Sequence, residues 1–303
     1  MSSGSREAAA RARLTVLYED DVLLVVNKPA GLVCHPTKGD EFSSLISRVR
    51  LYLGSERPAH LVNRLDRETG GLVLVAKEAR AAGELGRLME HRTVSKRYLA
   101  IVHGAVNALT GVIREPLGKA LGSEVVIKDA VREGGAPAET EFRVLGTWKV
   151  DRSFAPDEYR ALAEFGAQFG VAAARVFGSE SWCQSLVGHA FTVLELHPRS
   201  GRKHQIRIHC AHLGHPIVGD KIYGSNERHY LDFVGDCLSE GGWMELMLPC
   251  QALQAVELRL EWRGRQWVFS AAPEIWFQEF IPNPVRKREL IGCDEEIAGI
   301  RED

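Results

Sequence analysis

The sequence lacks a strong imbalance of charge. Its 303 residues carry 38 lysines and arginines against 40 aspartates and glutamates, a formal net charge of −2 at pH 7. Domains that bind nucleic acid through their overall charge are strongly basic, so this balance excludes that class. Any nucleic-acid partner would have to meet a local basic surface. The sequence offers three such clusters, at residues 87–97, 199–207 and 286–288.

Long apolar runs and paired cysteines are also missing. No run approaches the roughly 20 apolar residues that cross a bilayer as a helix, so we expect no membrane partner. The six cysteines are scattered and include no C-x-x-C pair. In a chain of this size, that pattern indicates reduced thiols in a cytoplasmic protein rather than a disulfide framework. They are Cys34, Cys183, Cys210, Cys237, Cys250 and Cys293.

Apolar runs that end in turn residues predict several buried strands. Apolar residues at helical spacing predict an amphipathic helix over residues 78–91. A second helix is predicted over residues 40–53, with Asp40 or Ser43 as its cap. Strands and helices are mixed rather than strictly alternating, which favours an α+β fold over a doubly wound sheet. The predicted strands are residues 15–28 (two strands around an acidic turn), 72–76, 98–102, 140–145 and 191–196.

Residues 151–189 look like an insertion between two of these strands. Within it, residues 156–169 are predicted to form a helix with a proline in its first turn. Residues 252–272 are predicted to form a hairpin.

The domain organisation follows from these elements. We expect a disordered tail over residues 1–14, one catalytic domain over residues 15–282, and a charged tail over residues 283–303.

The stretch NRLDRETGG, residues 63–71, places a carboxylate between two arginines just before a buried strand. Arg64 and Arg67 would hold Asp66 in its ionised form, and the two glycines let backbone pass close to a ligand. The charge pattern alone fits both a solvated turn and a reactive site, and it does not name a reaction.

A second stretch, residues 196–224, is rich in histidine and offers two interpretations. The first is a metal site and a metal-dependent hydrolase, although no ligand motif such as H-E-x-x-H is present. The second is a basic turn, residues 200–203, ahead of a short helix that buries Ile206, Cys210 and Leu213. The N-terminus of such a helix favours the binding of an anion. The side chain of Arg207 would project from another face of this helix. The histidines are His197, His204, His209, His212 and His215.

A third stretch, SKRYLAIVHG, begins at Ser95 and opens a strand with Tyr98 behind basic residues. The tyrosine fits either a strand packed in the core or an aromatic platform for a nucleic-acid base.

Together and in this order, these stretches resemble the RluA-type pseudouridine synthase family. Its HRLDxxTSG motif stands here as residues 63–71, its K-x-Y strand as residues 96–98, and its TGRTHQIRxH stretch as residues 200–209. The matching opening, DxxLLVVNKPAGLVxHP, and the later GxPIxGDxxYG are also present. The resemblance covers roughly residues 15–280 apart from the insertion.

The sequence departs from the family pattern at several positions. Asn63 replaces the usual His, Gly70 the usual Ser, and Lys203 the usual Thr. Cys250 and Gln254 stand where the family's late RQALHA stretch has Arg and His. We also expect this chain to lack the small N-terminal RNA-binding domain of some relatives.

The resemblance implies a catalytic fold with a mixed, mainly antiparallel sheet flanked by helices and loops. It implies isomerisation of uridine to pseudouridine in a ribosomal or transfer RNA stem-loop, by a monomer without cofactor or metal. Asp66 would be the essential carboxylate, Arg207 its ion-pair partner, and Tyr98 the residue that packs on the uracil ring.

The resemblance also implies an RNA-binding set. Arg64 would fill the gap left by a flipped base. The other predicted contacts are Asn63, Lys96, Arg202, Lys203, His204 and Gln205. The departures from the family pattern motivate one alternative, a catalytically inactive RNA-binding protein of the same fold.

Overall fold

The structure is a computed structural model. The predicted tails, apart from Leu14, and the predicted cap Asp40 lie outside the residues that it describes. The described residues are 14–36, 43–54, 57–153 and 155–282.

The chain divides into two compact units. Unit 1 holds the described residues within 14–97 and 254–273, and unit 2 holds those within 98–253 and 274–282.

Within the described residues, strands and α-helices are numbered in chain order. The strands are β1 (Thr15–Glu19), β2 (Leu23–Lys28), β3 (His60–Leu61), β4 (Gly70–Ala76), β5 (Ser95–His103), β6 (Thr110–Ile113), β7 (Leu117–Lys119), β8 (Asp129–Val131), β9 (Thr140–Lys149), β10 (Ala190–Pro198), β11 (Leu253–Trp262) and β12 (Arg265–Ser270). The α-helices are α1 (Leu45–Leu53), α2 (Ala79–Glu90), α3 (Arg160–Gly166), α4 (Val171–Val176), α5 (Glu180–Ser185), α6 (Gln205–His212), α7 (Arg228–Val234), α8 (Glu240–Leu246) and α9 (Ile275–Glu279).

The sheet of unit 1 has the strand order β1-β2-β4-β11, with β3 also paired to β4 and β12 to β11. Its strand pairs are antiparallel except β4 with β11, which run parallel. The acidic turn before β2 is fixed by Asp20, whose Oδ1 accepts from the backbone N–H of Val22 (2.8 Å) and Leu23 (2.6 Å). The β11–β12 hairpin is confirmed, and it turns through Arg263 and Gly264 at positive φ, as a two-residue type I′ turn requires.

Strand β4 is buried along its whole length, which is why it reads as a continuous apolar run. Leu72 and Leu74 belong to a core cluster with Ala81 and Leu85 of α2 and with aromatic residues of the β11–β12 hairpin. Burying one leucine side chain contributes about 2 kcal/mol to the stability of the folded state. This packing therefore provides a rigid base for the loop that enters β4.

The predicted helix over 78–91 is confirmed as α2, but the predicted cap of α1 is wrong by one residue. Ser44 is the cap, and its Oγ accepts from the N–H of Ser47 at 3.4 Å. Ser44 forms a β-bridge with Val33. Because that pairing keeps Ser44 extended, the helix begins only at Leu45.

The main sheet of unit 2 has the order β5-β10-β9-β6 with every pair antiparallel, and β7 and β8 form a separate small hairpin. A bulge lies between Val193 and Leu194, where β10 pairs with β9. Strand β10 is the most buried of these strands, with Phe191 to Leu196 buried throughout. After β10 the chain turns directly into the histidine-rich stretch.

The single helix predicted over residues 156–169 is wrong. A 3₁₀ turn, Pro156–Tyr159, precedes α3, and a second one, Ala167–Phe169, follows it. The carboxylate of Glu279 accepts from the N–H groups of Ala161 (3.1 Å) and Leu162 (2.9 Å). These groups are therefore satisfied from outside, as at a helix start.

The fold class is confirmed as α+β, with a mixed, mostly antiparallel sheet and flanking helices. The five cysteines within the described residues are all free thiols. In that part of the chain, no helix has the length and apolar character that a membrane crossing needs.

Candidate functional site

The Asp66 loop, residues 62–69, connects β3 to β4 in unit 1. Asp66 is half-buried and lies between the exposed residues Arg64 and Arg67. The loop closes with a backbone bond from the N–H of Thr69 to the carbonyl of Asp66, at 3.2 Å. The loop thus joins β3, which pairs with β4, to the start of β4 itself.

Lys28 fastens one side of this loop. Its side chain is fully buried, and its ammonium donates to the carbonyls of Pro29 (2.9 Å), Leu32 (2.8 Å) and Arg67 (3.1 Å). A buried ammonium is costly unless its protons are bonded. The lysine therefore ties the turn after β2 to the backbone directly after Asp66.

Cys34 fastens the other side. Its Sγ accepts from the N–H of Leu65 and donates to the carbonyl of Leu65, both at 3.4 Å. The buried thiol thereby holds the residue just before Asp66 as a short strand pairing would. Asp66 is consequently flanked by two backbone positions that side chains from one segment, residues 28–34, hold in place.

Asn63 forms a third connection. Its Nδ2 donates to the carbonyl of Leu72 (3.1 Å) and its Oδ1 accepts from the N–H of Leu74 (2.8 Å). This side-chain amide continues the β3–β4 pairing after the backbone has left it. The structure therefore gives Asn63 a structural task, and its predicted RNA contact stays a prediction.

The second glycine of the motif is required by close backbone approach. Gly71 has a φ of 115°, and a Cβ there would lie 2.1 Å from the carbonyl oxygen of Ala255. Only glycine allows β11 to pair at this point of β4.

Arg207 lies on α6 in unit 2, and its guanidinium is buried against Asp220. Nε donates to Oδ2 at 2.7 Å and Nη2 donates to Oδ1 at 2.9 Å, a bidentate pair. Burial alone would raise the pKa of Asp220, but the guanidinium and two backbone N–H bonds outweigh it and lower that pKa. Asp220 stands in the GxPIxGDxxYG stretch, but no role was predicted for it from the sequence.

Asp220 also organises the turn that contains it. Its Oδ1 accepts from the N–H of Ile222 (2.9 Å) and of Tyr223 (3.0 Å). The ring of Tyr223 lies beneath the guanidinium of Arg207, with 5.0 Å from Cζ to the ring centroid. The orientation of Arg207 is thus set by one buried carboxylate and one aromatic face.

The histidines of this stretch bind protein groups. His204 Nδ1 lies 2.9 Å from the Tyr223 hydroxyl, and His215 Nδ1 lies 2.8 Å from a backbone carbonyl. His209 lies between Thr140 Oγ1 (2.8 Å) and the Glu115 carbonyl (3.1 Å), and burial lowers its pKa. Across the described residues, no three His, Cys, Asp or Glu side chains are grouped to hold a metal ion.

The predicted basic turn contains residues with different exposure. Arg202 and Lys203 are exposed, and Lys203 pairs with Asp129 at 2.8 Å. His204 takes a left-handed conformation, with φ 55°. The predicted contacts of these three residues with RNA stay predictions.

Gln205, one of the predicted RNA contacts, is bonded within the protein. It is buried, and its Oε1 accepts from Ser200 Oγ (2.8 Å) and from the backbone N–H of Arg202 (3.1 Å). Its Nε2 donates to the carbonyl of Glu139 (2.8 Å) and to Thr140 Oγ1 (3.0 Å). An amide with both ends bonded inside the protein shapes the loop, and the RNA contact of Gln205 stays a prediction.

Tyr98 and Lys96 lie on β5, two positions apart, so their side chains leave the strand on the same face. Both are half-buried. Burial lowers the pKa of Lys96. The backbone of Tyr98 pairs with that of Leu196 on β10. This pairing fixes the point from which the Tyr98 side chain projects.

The predicted catalytic residues are distributed over the two units. Asp66 belongs to unit 1, whereas Tyr98 and Arg207 belong to unit 2. The ion pair predicted between Asp66 and Arg207 stays a prediction. Lys28, Cys34 and Asp220, which hold these residues, were not predicted from the sequence. Lys28 and Asp220 stand in motifs that carry the family resemblance.

Comparison with known proteins agrees with these motifs. The sequence profile of the family described as RNA pseudouridylate synthase matches residues 22–212. An uncharacterized RNA pseudouridine synthase of Mycoplasma genitalium is 32% identical over 212 residues, covering 70% of this chain and 56% of that protein. The ribosomal large subunit pseudouridine synthase D of Nitrosomonas europaea is 32% identical over 252 residues, covering 82% and 58%. The chain thus spans little more than half the length of these relatives.

Two solved structures have the same fold. Human RNA pseudouridylate synthase domain containing 1 has a TM-score of 0.57, and the match covers 90% of this chain and 86% of that one. For human RNA pseudouridylate synthase domain containing 4 the TM-score is 0.62, with 92% and 96% covered. Both are 22% identical to this chain. Because the family profile matches more than half of the sequence, the chain belongs to the RNA pseudouridylate synthase family, in its RluA-type branch.

Proposed function

We propose that this protein isomerises uridine to pseudouridine in RNA. The Asp66 loop carries the proposal. It has the family's aspartate motif, and Lys28, Cys34 and Asn63 hold its backbone on both sides of the half-buried aspartate. A group that must meet a reacting atom gains most from such advance positioning.

The reaction balances without a cofactor. The N1–C1′ bond of uridine breaks, the base turns, and a C5–C1′ bond forms. The proton on C5 leaves and N1 gains one, so no oxidant, reductant or net water is needed. Asp66 either attacks C1′ or removes the 2′ proton, and both roles require the ionised carboxylate.

The other residues would assist this carboxylate and the base. Arg207, oriented by Asp220, would pair with Asp66 through its planar guanidinium. Tyr98 would pack against the uracil ring and limit its motion. Arg64, which is exposed, would occupy the gap left when the uridine flips out, a step that costs a few kcal/mol.

We propose a ribosomal or transfer RNA stem-loop as the substrate, and a cytoplasmic monomer as the active form. Similarity to a ribosomal large subunit pseudouridine synthase supports a ribosomal substrate. The free thiols of the described cysteines are compatible with a reducing compartment.

The structure bears on both rival functions. An inactive RNA-binding protein was motivated by departures such as Asn63, but the Asn63 amide keeps the motif attached to β4. A metal-dependent hydrolase would draw its ligands from the histidine-rich stretch, where both ring nitrogens of His209 are bonded to protein groups. Elemental analysis of the purified protein would test the hydrolase hypothesis. That hypothesis predicts a stoichiometric metal in a protein that has no activity on uridine.

The direct test is to map pseudouridines in ribosomal and transfer RNA from cells with and without the gene. The proposal predicts that one or more sites disappear on deletion and return with the wild-type gene, but not with Asp66→Ala. Sites that return equally with both genes would remove Asp66 from the mechanism, and an unchanged map would favour the inactive alternative.

A further inference from the structure

The chemistry proposed above gives residues 151–189 no role, yet one of them reaches the turn that holds Arg207. The ring of Phe169 joins those of Phe233 on α7 and Trp243 on α8 around the ammonium of Lys221. The distances from Nζ to the ring centroids are 5.8, 4.6 and 5.2 Å. Nζ also donates to the carbonyl of Pro249 at 2.7 Å. We name these three rings the aromatic box.

The aromatic box surrounds a charge that has almost no access to water. Lys221 is only 1% exposed, and a buried ammonium is expensive unless the protein replaces its solvent. Aromatic faces within about 6 Å attract a cation, most strongly where it is desolvated. Each ring therefore contributes to keeping Lys221 in place, and Phe169 is the contribution of residues 151–189.

Lys221 directly follows Asp220, the carboxylate that orients Arg207. On the other side, Gly219 is fixed by close approach, since a Cβ there would lie 2.1 Å from the carbonyl oxygen of Cys250. The turn is thus held immediately before Asp220 by backbone contact and immediately after it by the aromatic box. A shift of Lys221 would be transmitted through one peptide to the carboxylate of Asp220.

The segment that supplies Phe169 is independently anchored in unit 2. Trp182 Nε1 donates to the carbonyl of Met247 at 3.0 Å. The rings of Phe165 and Trp276 stack at 4.8 Å with an interplanar angle of 5°. A change at Phe169 therefore removes one wall of the aromatic box while these anchors remain.

We propose that Lys221 is a positioning residue and that residues 151–189 control the reaction by closing the aromatic box around it. This inference rests on the proposed function, because it takes Arg207 as the partner of the catalytic carboxylate. With a wall of the box removed, the turn at Asp220 relaxes and Arg207 loses its orientation.

The decisive variants are Phe169→Leu, which keeps apolar bulk but removes the π-face, and Phe169→Tyr, which keeps the face. Val171→Ala is the matched control, because Val171 lies in the same segment and is 69% exposed. Each purified full-length protein is assayed for single-turnover pseudouridine formation across pH, for RNA affinity, and for thermal stability.

We expect Phe169→Leu to slow the reaction about ten- to a hundredfold, as small misplacements of catalytic groups do. RNA affinity should stay unchanged, and the acid limb of the rate profile should move to higher pH. Phe169→Tyr and Val171→Ala should behave as wild type. In a Lys221→Met background, Phe169→Leu should have no further effect. If the Lys221→Met protein does not fold, the difference in rate between Phe169→Leu and Phe169→Tyr still tests the inference.

Two results would overturn the inference alone: a Phe169→Leu rate and pH profile equal to those of an active wild type, or equal losses in the Leu and Tyr variants. A wild type that forms no pseudouridine on any RNA would instead overturn the proposed function, and the inference with it.

Discussion

The Asp66 loop and helix α6 hold their key residues in opposite ways. In the Asp66 loop, Lys28 and Cys34 bond the backbone of the neighbouring residues, and Asp66 itself is half-buried. In α6 the protein bonds the side chain itself, because Arg207 is buried in a bidentate pair with Asp220.

Because of this difference, substitutions in the two regions should have different effects on catalysis and on stability. A half-buried residue keeps access to water when it is replaced, so its loss should cost the fold little and affect mainly the chemistry. A residue whose charge is buried and paired is part of the fold, so removing its partner leaves an uncompensated charge. The two regions should therefore respond differently to equally conservative substitutions.

The largest effect is expected at Asp66. Asp66→Asn should reduce pseudouridine formation at least ~10³-fold, as losing a reacting group does in other enzymes. The free energy of unfolding should stay within about 0.5 kcal/mol of wild type, measured by denaturant titration. A large loss of stability would show that Asp66 belongs to the fold in the way that Arg207 does.

Asp220→Ala should reverse this pattern. Removing the partner of a buried Arg207 should cost about 3–5 kcal/mol in the free energy of unfolding. The matched control is Glu141→Ala, since Glu141 forms a bidentate pair with Arg199 at 2.9 and 2.8 Å on the exposed face of the sheet. Glu141→Ala should lower the free energy of unfolding by no more than about 1 kcal/mol. Equal costs for the two variants would contradict the contrast.

A smaller contrast is expected within the basic turn. Gln205→Ala should destabilise the protein by about 1–3 kcal/mol, because its bonded partner Thr140 stays buried. Arg202→Ala should leave stability unchanged but weaken RNA binding and reduce the salt slope by about one. Fluorescence titrations at several salt concentrations measure this slope. A reversed pattern would favour direct RNA contact by Gln205 over a role in shaping the loop.

The smallest effect concerns pH. Burial, reinforced by His189, lowers the pKa of His103 from 6.5 to about 4. Between these values the unfolded chain binds a proton that the folded chain does not, so stability should fall as pH falls through that window. His103→Gln should flatten this fall in stability, because glutamine does not bind a proton in this range. Melting temperatures from pH 7 to pH 4 measure it, and parallel curves for the two proteins would refute the assignment.

Much of the fold was predictable because burial leaves a clear pattern. Residues 22–26 and 72–76 are continuous apolar runs because their strands are covered on both faces. The cap Ser44 was missed because its bridge to Val33 lies outside the local pattern. The break at Tyr159 was missed because the carboxylate that satisfies α3 comes from Glu279, more than 100 residues away.

The candidate site was predictable only in part. Its motifs identified Asp66 and Arg207, but the residues that hold them act over long sequence separations. Cys34 reads as an inert thiol until Leu65 is placed beside it. Gln205 reads as a surface residue because glutamine is usually exposed, and only the fold brings four bonding groups around its amide.

The most direct test of the central claim uses RNA labelled with tritium at C5 of uridine. Forming the C5–C1′ bond expels that hydrogen, so the wild-type protein should release one tritium for each pseudouridine formed. Asp66→Asn should release none while binding the same RNA with unchanged affinity. Equal release by both proteins would contradict the account, as would pseudouridine formation without release.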